Sequence, residues 1–573
     1  MLEERWQEAP RQEGNAELAR ELGISPMTVR LIRSRGVDDA EGIRKYLHGS
    51  LSDLHDPRLM KGVKEAAALL KEKIEAGAAI RVIGDYDIDG VNATYVLLSG
   101  LRRCGAKVDT VIPDRLKDGY GLNENLIRAA FADGIDTIVT CDNGIAAAAE
   151  IALGRELGLT IIVTDHHEVP YEEAEDGSRR FVLPPAHAIV NPKQADCPYP
   201  FKKLCGAAVA YKLIQALYGE MHIPEEEVQE LLEFVAVATV GDIMELSGEN
   251  RIFVKYGLQQ LERTKNSGYR ALITVNGLWE RKLTPYHVGF VLGPCINASG
   301  RLDTARRALN LLSAKSRAEA ESLAGDLKAL NDSRKELTVK GTQAAVELIE
   351  HSGLKDDRVL VVYLPDCHES LAGIIAGRLR EKYNRPCFVL TNGEEGVKGS
   401  GRSIAAYSMY EEMTKVKELF TKYGGHPMAA GLSMEAEKVE ELRRRMNENC
   451  TLTPEDLVPF REFDGILHLP YAGEQLIREL EFLEPYGKGN ERPLFAETRV
   501  QVTGARILGK AKNVLKLQLR TGAGAWAEGI YFGDAEKMLE ALEQKEEFSI
   551  LYYPEVNEYM GKRNVQIVIM AVR

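Results

Sequence analysis

Seven acidic and imidazole side chains follow three short apolar runs in the first half of the chain. The runs lie within residues 78–90, 136–144 and 159–167, and the side chains at their ends are Asp85, Asp87, Asp89, Asp142, Asp165, His166 and His167. Short runs rich in Val and Ile predict strands buried on both faces of a parallel sheet. Ligands bind beyond the carboxyl ends of such strands. The sequence therefore predicts that these side chains meet at one edge of a sheet.

This concentration of carboxylates points to bound cations. Carboxylates held close together repel one another unless a positive charge lies between them. Asp242 follows a further apolar run and adds another oxygen donor. Oxygen ligands with one or two histidines suit Mn²⁺ or Mg²⁺ better than structural zinc. Two such ions, about 3.5–4 Å apart, would activate a water and neutralise a phosphodiester during in-line attack.

A calcium-binding loop is the first alternative for the segment DYDIDG at residues 85–90. An EF-hand loop carries a Glu at its twelfth position and lies between two helices. Val96 occupies the twelfth position here, and a predicted strand precedes the loop. A solvated turn would explain one such motif alone. Donors at three predicted strand ends favour a metal site over both alternatives.

Length and composition set the broad class of protein. The 573 residues predict about three or four domains. Eight cysteines without a CxxC pair argue against a zinc knuckle and predict a reducing, cytoplasmic setting. The formal net charge of −13 leans weakly against a nucleic-acid binder, although a metal-lined cleft can be locally positive. No apolar run approaches the roughly 20 residues of a membrane span, and the polar first residues predict neither signal peptide nor anchor.

The order of predicted elements indicates an α/β fold with several domains. Alternating strands and helices from residue 78 predict a parallel, doubly wound sheet, and the last segment reads as five strands of an OB-fold β-barrel. The predicted domains are a helical N-terminal lead-in (1–77), a metal-binding α/β domain (78–313), a connecting helix (314–350), a second α/β domain (351–457) and the OB-fold nucleic-acid-binding domain (458–573).

Several motifs in this order resemble the DHH phosphoesterase superfamily, and within it the RecJ family of single-strand-specific 5′→3′ DNA exonucleases. The motifs of the first half are DYDIDG (85–90), CDNG (141–144), DHH (165–167) and GPCINASGRLD (293–303). Those of the second half are ESLAGIIAGRL (369–379), SGRS (400–403), GGHPMAAG (424–431) and LEPYGKGNERPLF (483–495). DHH alone is a weak signal, whereas its combination with the two last motifs is highly specific. The resemblance implies a DHH catalytic lobe, a DHHA1 lobe and an OB region.

The resemblance also implies roles for individual residues. The implied ligands of two divalent ions, Mn²⁺ or Mg²⁺, are Asp85, Asp87, Asp142, His166 and Asp242, with Asp142 bridging the ions. His167 would hold the scissile phosphate, and Asp89 and Asp165 would orient the loop and the histidine pair. The implied DNA contacts of the DHHA1 lobe are Arg378, Ser400, Arg402 and His426, with Gly424 and Gly425 allowing close backbone approach.

Cys295 is one departure from the pattern of the family. Many RecJ sequences carry Arg at this position of the GPCINASGR segment. If that Arg binds the 5′ end of the strand, this chain must use another cation, and Arg301 is the nearest candidate.

The resemblance implies a metal-dependent 5′→3′ exonuclease of single-stranded DNA acting in recombination and repair. Two alternatives stay open: a DHH phosphodiesterase of short RNA or cyclic dinucleotides, and a non-catalytic single-strand-binding replication scaffold. The retained ligand set and the apparent OB region favour the exonuclease. Single-stranded DNA is the implied partner, with a single-strand-binding protein and a RecQ-type helicase as further candidates. We also expect a monomer without a membrane partner, located in the cytoplasm and associated with the nucleoid when acting.

Overall fold

The structure, a computed structural model, describes residues 4–114, 121–173, 178–393, 396–509, 511–559 and 562–573. The chain divides into two compact units. The first unit comprises Gln12–Asn331 with Leu480–Arg492, and the second comprises Met1–Arg11, Asp332–Glu479 and Pro493–Arg573. Among the helices described, none is long and apolar enough to cross a membrane.

The N-terminal segment is mostly helical, as predicted, but it begins with a strand. Its elements are β1 (Arg5–Glu8), α1 (Asn15–Leu22), α2 (Pro26–Arg33), α3 (Ala40–His48) and α4 (Val63–Glu75). Strand β1 pairs in parallel with Phe460–Phe463 of the same unit. The prediction of helix is wrong for β1. Four residues are too few to nucleate a stable helix, and pairing with a distant segment satisfies their backbone instead.

The first unit contains a five-stranded sheet whose neighbouring strands all run parallel. The elements from residue 79 to 190 are β2 (Ala79–Ile83), α5 (Ile88–Arg103), β3 (Lys107–Val111), α6 (Glu124–Ala132), β4 (Thr137–Cys141), α7 (Ala148–Glu156), β5 (Thr160–Thr164), β6 (Tyr171–Glu173), β7 (Arg179–Phe181) and β8 (Ala188–Val190). The strand order is β3-β2-β4-β5-β8, while β6 and β7 form a separate hairpin. The predicted parallel sheet is confirmed.

Both faces of this sheet are covered by helices. Further helices follow the sheet: α8 (Gly206–Glu220), α9 (Leu232–Gly241), α10 (Gly248–Leu261), α11 (Ser267–Val275), α12 (Pro285–His287), α13 (Gly293–Leu302) and α14 (Arg306–Leu312). Val139 and Ile162 belong to the core that includes α5 and α8, whereas Ile138 and Ile161 belong to the core with α6 and α7. Adjacent strand residues thus point into opposite cores, which explains why these strands read as continuous apolar runs.

The order of strands places a topological switch point between β2 and β4. The chain adds β3 on one side of β2 and then β4 on the other. In doubly wound sheets the crevice beyond the carboxyl ends of two such strands is the ligand-binding position. Asp85 and Asp87 follow β2, and Asp142 follows β4. The fold therefore brings the three predicted donors that follow β2 and β4 to the binding crevice.

One long helix, α15 (Arg317–Glu350), begins in the first unit and ends in the second. Its 34 residues span about 50 Å at 1.5 Å per residue. The predicted long helix is confirmed as a single continuous element.

The second unit contains a mixed sheet and a closed ring of strands. The elements of the mixed sheet region are β9 (Leu360–Tyr363), α16 (Ala372–Tyr383), β10 (Cys387–Asn392), β11 (Val397–Arg402), α17 (Met409–Thr414), β12 (Phe420–His426), β13 (Ala429–Met434) and α18 (Val439–Glu448). Its strand order is β12-β13-β11-β10-β9. The last part holds β14 (Phe460–Phe463), β15 (Gly465–Ile466), α19 (Glu474–Glu481), β16 (Phe495–Leu508), β17 (Val514–Thr521), β18 (Trp526–Phe532), α20 (Ala535–Leu542), β19 (Phe548–Tyr559) and β20 (Lys562–Val572).

Five of these strands form the predicted β-barrel. They pair in the order β16-β17-β18-β20-β19, and an additional pairing of β16 with β19 closes the ring. The pairing of β18 with β20 is parallel, while the other pairs of the ring are antiparallel.

The segment Leu480–Arg492 belongs to the first unit, although the sequence predicts it as part of the OB-fold domain. Asn490 holds the segment in shape because its side-chain amide donates to the carbonyls of Leu483 and Pro485. The Tyr46 hydroxyl donates to Asn490 Oδ1 at 2.6 Å, and Arg251 donates to the Leu483 carbonyl at 2.8 Å. These buried contacts come from residues far away in sequence, so local patterns do not reveal them.

Candidate metal centre

The DYDIDG segment forms the turn between β2 and α5. Asp87 is the N-cap of α5, and its Oδ1 accepts hydrogen bonds from the backbone N–H groups of Asp89 and Gly90 at 2.9 and 3.0 Å. A Cβ atom at Gly90 would lie 2.4 Å from the Asp85 carbonyl oxygen. Glycine is therefore required for the turn to close over Asp85, which is itself buried.

Asp142 lies at the end of β4 in a strained backbone conformation. Its φ angle of 60° is in the left-handed region, which residues other than glycine rarely adopt. Gly206, the first residue of α8, approaches so closely that a Cβ there would lie 2.7 Å from the Asp142 Cβ. No described group donates a hydrogen bond to the buried Asp142 Oδ1. Strain and an unsatisfied carboxylate oxygen of this kind are typical of functional sites.

The histidine pair follows β5 and is held by Asp165. Oδ1 of this buried carboxylate accepts hydrogen bonds from the backbone N–H groups of His166 and His167 and lies 2.7 Å from His167 Nδ1. Oδ2 accepts a bond from the Ile145 N–H. Asp165 therefore fixes the loop and the position of the His167 ring through Nδ1.

Asp89 and Asp242 come from two helix ends. Asp89 is fully buried, and its two oxygens accept hydrogen bonds from the N–H groups of Gly206 and Ala207 at the start of α8, at 2.6 and 2.8 Å. An anion at a helix N-terminus is stabilised by the helix dipole. Asp242 is the C-cap of α9, and its side chain is partly exposed.

These elements bring all five predicted metal ligands together. Three groups of possible ligand atoms each lie within 4.8 Å: Asp85, Asp87 and Asp142; Asp142, His166 and His167; and Asp89, His166 and Asp242. Nε2 of His166 lies 3.0 Å from Asp142 Oδ1 and 3.7 Å from Asp242 Oδ2. Asp142 and His166 each belong to two of the groups. Of these two side chains, only the carboxylate of Asp142 has two oxygen atoms that could contact two ions at once.

The electrostatics of the cluster favour the binding of a cation. Burial and then the charges of Asp89, Asp87 and Asp85 raise the pKa of Asp142 well above its usual range. Burial and the charge of Asp87 raise the pKa of Asp242 to about 7. Burial lowers the pKa of His166 to about 3, so its imidazole is neutral and able to act as a ligand. Divalent ions would offset the repulsion between the carboxylates, so the donor set fits Mn²⁺ or Mg²⁺.

His167 differs from His166 in its surroundings. Burial lowers its pKa, but the hydrogen bond to Asp165 and the charge of that carboxylate outweigh burial and raise it to about 9. The His167 side chain is 44% exposed. A protonated, accessible imidazole beside the carboxylate cluster is suited to contact an anionic oxygen.

Most of the predicted DNA contacts of the second unit meet on one face of its sheet. Ser400 of β11 and Gly424 of β12 both pair with Gly431 of β13, while Arg402 and His426 both pair with Ala429. Residues directly opposite in a sheet share a face, and so do residues two apart along one strand. The side chains of Ser400, Arg402 and His426 therefore point to the same side.

Arg378 and Gly425 have different settings. Arg378 is half-buried on α16. At Gly425 φ is 151°, and a Cβ would lie 2.4 Å from the Ala429 carbonyl oxygen. The hairpin itself thus requires this glycine, whereas a Cβ at Gly424 would meet nothing within 4 Å.

Helix α13 places Arg301 next to the DYDIDG turn. A Cβ at the preceding residue, Gly300, would lie 2.6 Å from the Tyr86 carbonyl oxygen. Asn297 Oδ1 accepts a hydrogen bond from the Ile88 N–H at 2.9 Å, a positioning role that sequence reasoning missed although the residue lies in a recognised motif. Cys295 of the same helix is completely buried, and its thiol donates to the Val291 carbonyl. Its side chain therefore points into the core.

Family models match three parts of the chain. Residues 79–239 match the N-terminal domain of the DHH family, residues 356–451 match the DHHA1 domain, and residues 463–571 match the RecJ OB domain.

Relatives and solved structures match over nearly the whole chain. The single-stranded-DNA-specific exonuclease RecJ of Bacillus subtilis is 37% identical over 99% of this chain and 70% of its own length. The protein of the same name from Escherichia coli is 34% identical over 95% of each. The crystal structure of RecJ from Thermus thermophilus in complex with Mn²⁺ matches with a TM-score of 0.84 and 29% identity, covering 99% of this chain and 79% of that one. The corresponding Mg²⁺ complex matches with a TM-score of 0.78 and 28% identity over 99% and 78%. By sequence over its full length and by fold, this chain belongs to the RecJ family.

Proposed function

We propose that this chain is a metal-dependent exonuclease that hydrolyses phosphodiester bonds of single-stranded DNA from the 5′ end, in recombination and repair. The observation that carries the proposal is the convergence of carboxylates and histidines at the switch point of the sheet. Its relatives are named single-stranded-DNA-specific exonucleases, and the crystal structures of the Thermus thermophilus relative are complexes with Mn²⁺ or Mg²⁺.

In the proposed mechanism the first unit supplies the ligands of two divalent ions. The residues that would hold the ions are Asp85, Asp87, Asp142, His166 and Asp242. The chemistry that such ions would supply is activation of a water molecule and neutralisation of charge on the phosphodiester. Asp89 keeps the DYDIDG turn against the start of α8 through its two backbone hydrogen bonds.

His167 contacts the scissile phosphate in this mechanism. Its cationic ring donates from Nε2 to a phosphate oxygen as negative charge increases during attack. Asp165 binds Nδ1 at 2.7 Å and thereby sets the orientation of the ring. Such partners of site histidines are often important for activity although they do not touch the substrate.

The DNA backbone contacts are assigned to both units. In the second unit the shared face of Ser400, Arg402, Gly424 and His426 is a suitable surface, and Gly425 lies next to it in β12. Arg378 of α16 is the further proposed contact of this unit. Arginine binds phosphate through two parallel hydrogen bonds. In the first unit, Arg301 beside the DYDIDG turn is the candidate cation for the 5′ end, because Cys295 points into the core.

Partners, location and domain limits are part of the proposal. A single-strand-binding protein and a RecQ-type helicase are the proposed partners of a monomeric enzyme. Its eight cysteines are all free thiols, seven of them buried, which supports a reducing cytoplasm. The enzyme would associate with the nucleoid when acting. The proposed boundaries 78–313, 351–457 and 458–573 each contain one of the three matched family domains.

A time course on end-labelled oligonucleotides with Mn²⁺ tests the proposal. The substrates are a single strand, a blunt duplex and a dinucleotide. We expect progressive shortening of the single strand from its 5′ end, with the duplex spared. Cleavage of the dinucleotide alone would instead identify a short-RNA type of phosphodiesterase. Tight strand binding without any cleavage would identify a scaffold.

A further inference from the structure

A lysine-lined cavity of about 500 Å³ lies in the first unit. Its charged lining residues are Lys193, Lys202, Lys203, Lys488, Glu168 and Glu245. The volume is ample for a phosphodiester with part of its sugars. No lining residue is aromatic, so the cavity offers no platform for base stacking. Its chemistry favours an anion.

The cavity adjoins the metal centre. Glu168 directly follows His167, and Met244, another lining residue, is two residues beyond Asp242. The Lys488 carbonyl accepts a hydrogen bond from the Leu246 N–H at 2.7 Å, which fixes the segment carrying Lys488 against the chain just after Asp242.

The charges of the cavity are incompletely balanced by its own carboxylates. Lys193 pairs with Glu168 at 2.9 Å, and Lys203 pairs with Glu245 at 2.5 Å. Lys202 donates to the Cys197 carbonyl at 2.6 Å, and Lys488 forms no ion pair with any residue that the structure describes. Four lysines and two glutamates leave a formal charge of +2.

Both ion pairs can be exchanged for phosphate contacts. The Glu168 side chain is 77% exposed, and exposed ion pairs contribute little to stability. A phosphate oxygen can therefore replace Glu168 at Lys193 at small cost. The Lys203–Glu245 pair is also partly exposed on both sides, so a phosphate oxygen could replace Glu245 at Lys203 as well.

We propose that this cavity is a phosphate subsite that holds a phosphodiester of the strand next to the one cut at the metal centre. This assignment rests on the proposed function. Lysine suits the task because its ammonium is a flexible point charge, unlike the rigid fork of arginine. An exonuclease must release and rebind each phosphate as the strand advances by one nucleotide. Lysines with exchangeable carboxylate partners allow this repeated transfer.

The test measures energetic coupling between the lysines and single phosphates. Oligothymidylates with a 3′ fluorescent label carry one neutral methylphosphonate each, placed successively from the 5′ end. Their affinity is measured by anisotropy for full-length Asp142→Ala protein with and without Lys193→Gln and Lys488→Gln. We expect one linkage whose neutralisation weakens binding to the parent but not to the lysine variant. This coupling would locate the phosphate in the cavity.

Salt dependence provides a second readout with a matched control. Each phosphate contact on a single strand contributes about 0.7 to the slope of log affinity against log salt. Losing two contacts should reduce the magnitude of the slope by about 1.4. Between 50 and 200 mM salt, the affinity of the lysine variant should therefore fall by a factor about sevenfold smaller than the affinity of the parent. The control Lys64→Gln/Lys265→Gln removes two exposed lysines of the same unit outside the cavity and should leave the slope and coupling unchanged.

Two results would overturn the assignment. Equal coupling at every linkage would show that the lysines attract the strand only by long-range electrostatics and contact no particular phosphate. A flat methylphosphonate series combined with lysine-dependent competition by thymidine 5′-monophosphate would show that the cavity holds the released product instead. Failure of the proposed function would be seen separately, as absence of strand shortening by the unaltered protein.

Discussion

The neighbouring residues His166 and His167 have pKa values that are shifted in opposite directions by their surroundings. His166 lies inside the carboxylate cluster, and burial keeps it neutral, as a metal ligand must be. His167 is bound by Asp165 and stays cationic, with an exposed face. The two histidines of the DHH motif thus have different roles. Strand β5 ends just before the motif, and it is the His167 ring that lies within hydrogen-bonding distance of Asp165.

Asp142 belongs to two of the three ligand groups, as His166 does, and it contributes the carboxylate that the two groups share. We expect Asp142→Ala to reduce exonuclease turnover by more than the about 100-fold that loss of a supporting partner can cost. Circular dichroism and single-strand binding should be nearly unchanged. The matched control is Asp196→Asn, an exposed carboxylate that pairs with Lys61. Full activity of Asp142→Ala would refute the two-metal assignment.

Asp165 acts through His167 and should show a milder effect. Asp165→Asn keeps the shape of the side chain but removes the negative charge that orients the His167 ring and stabilises its protonated form. We expect turnover to fall about 10–100-fold, with KM for single-stranded DNA changing much less. Steady-state kinetics with Mn²⁺ separate the two constants. A change confined to KM would mean that Asp165 supports strand binding instead of His167.

Helix α9 carries a buried acid, Glu233, in addition to Asp242 at its end. Burial raises the Glu233 pKa to about 7, although a hydrogen bond from Thr264 opposes this shift. The folded state therefore retains a proton that the unfolded chain releases above its ordinary pKa of 4.5. The contribution to stability is present below pH 4.5 and is lost as pH rises towards 7.

Glu233→Gln should abolish this dependence. We expect the variant to gain up to about 3 kcal/mol of unfolding free energy over the parent at pH 8, and little at pH 5. Urea unfolding at both pH values measures the difference. The control is Glu226→Gln at an exposed position, in which the pH dependence caused by Glu233 should persist. An advantage that does not vary with pH would contradict the buried proton.

A buried ion pair joins helices α8 and α10. Lys212 Nζ lies 2.8 Å from Glu249 Oε1, and both side chains are completely buried. Glu249 also accepts hydrogen bonds from the Tyr199 hydroxyl and the His55 N–H. Lys212→Met would leave the carboxylate without its cation, which costs about 3–5 kcal/mol.

A second substitution tests this reason. Glu249→Gln in the Lys212→Met background removes the unpaired charge and should restore part of the lost stability. Thermal unfolding of the two single variants, the double variant and the parent gives the coupling between the two positions. Additive effects would mean that the pair is not the cause of the loss.

The sequence predicts elements well where a local pattern determines them. Strands β2, β4 and β5 are recognisable because each is a short apolar run ending in a polar residue, and parallel strands bring those ends together. Strand β1 has no such local signal because its partner lies more than 450 residues away. The segment Leu480–Arg492 likewise joins the first unit through Tyr46 and Arg251, which no local pattern indicates.

The placement of individual side chains is also not predictable from sequence patterns. The position of Cys295 in the core and the approach of Gly206 to Asp142 both follow from how helices pack. Lys488 lies in the LEPYGKGNERPLF motif, yet its meeting with Lys193 in one cavity depends on tertiary contacts. Resemblance to a family identifies the ligands, whereas only the structure shows which neighbours set their charge.

At the scale of the whole molecule, the net charge of −13 opposes binding to a polyanion at long range. Local positive groups offset this charge where they are concentrated, as in the cavity beside the metal centre. Cations bound to the carboxylate cluster would reduce the negative charge further at the same place. Metal binding is therefore expected to affect both the field at the site and the stability of the fold.

Added Mn²⁺ should stabilise the folded protein because the cluster exists only in the folded state. Each tenfold increase of free Mn²⁺ above the dissociation constant should add about 1.4 kcal/mol of stability per site. Thermal unfolding followed by calorimetry at a series of Mn²⁺ concentrations measures this effect. We expect a rising midpoint for the parent and for the exposed-carboxylate control Asp196→Asn, but a much smaller rise for Asp142→Ala. Because Asp142 contributes to two ligand groups, its loss should weaken both sites together. A midpoint that rises equally in all three proteins would place the stabilising ions elsewhere on this acidic chain.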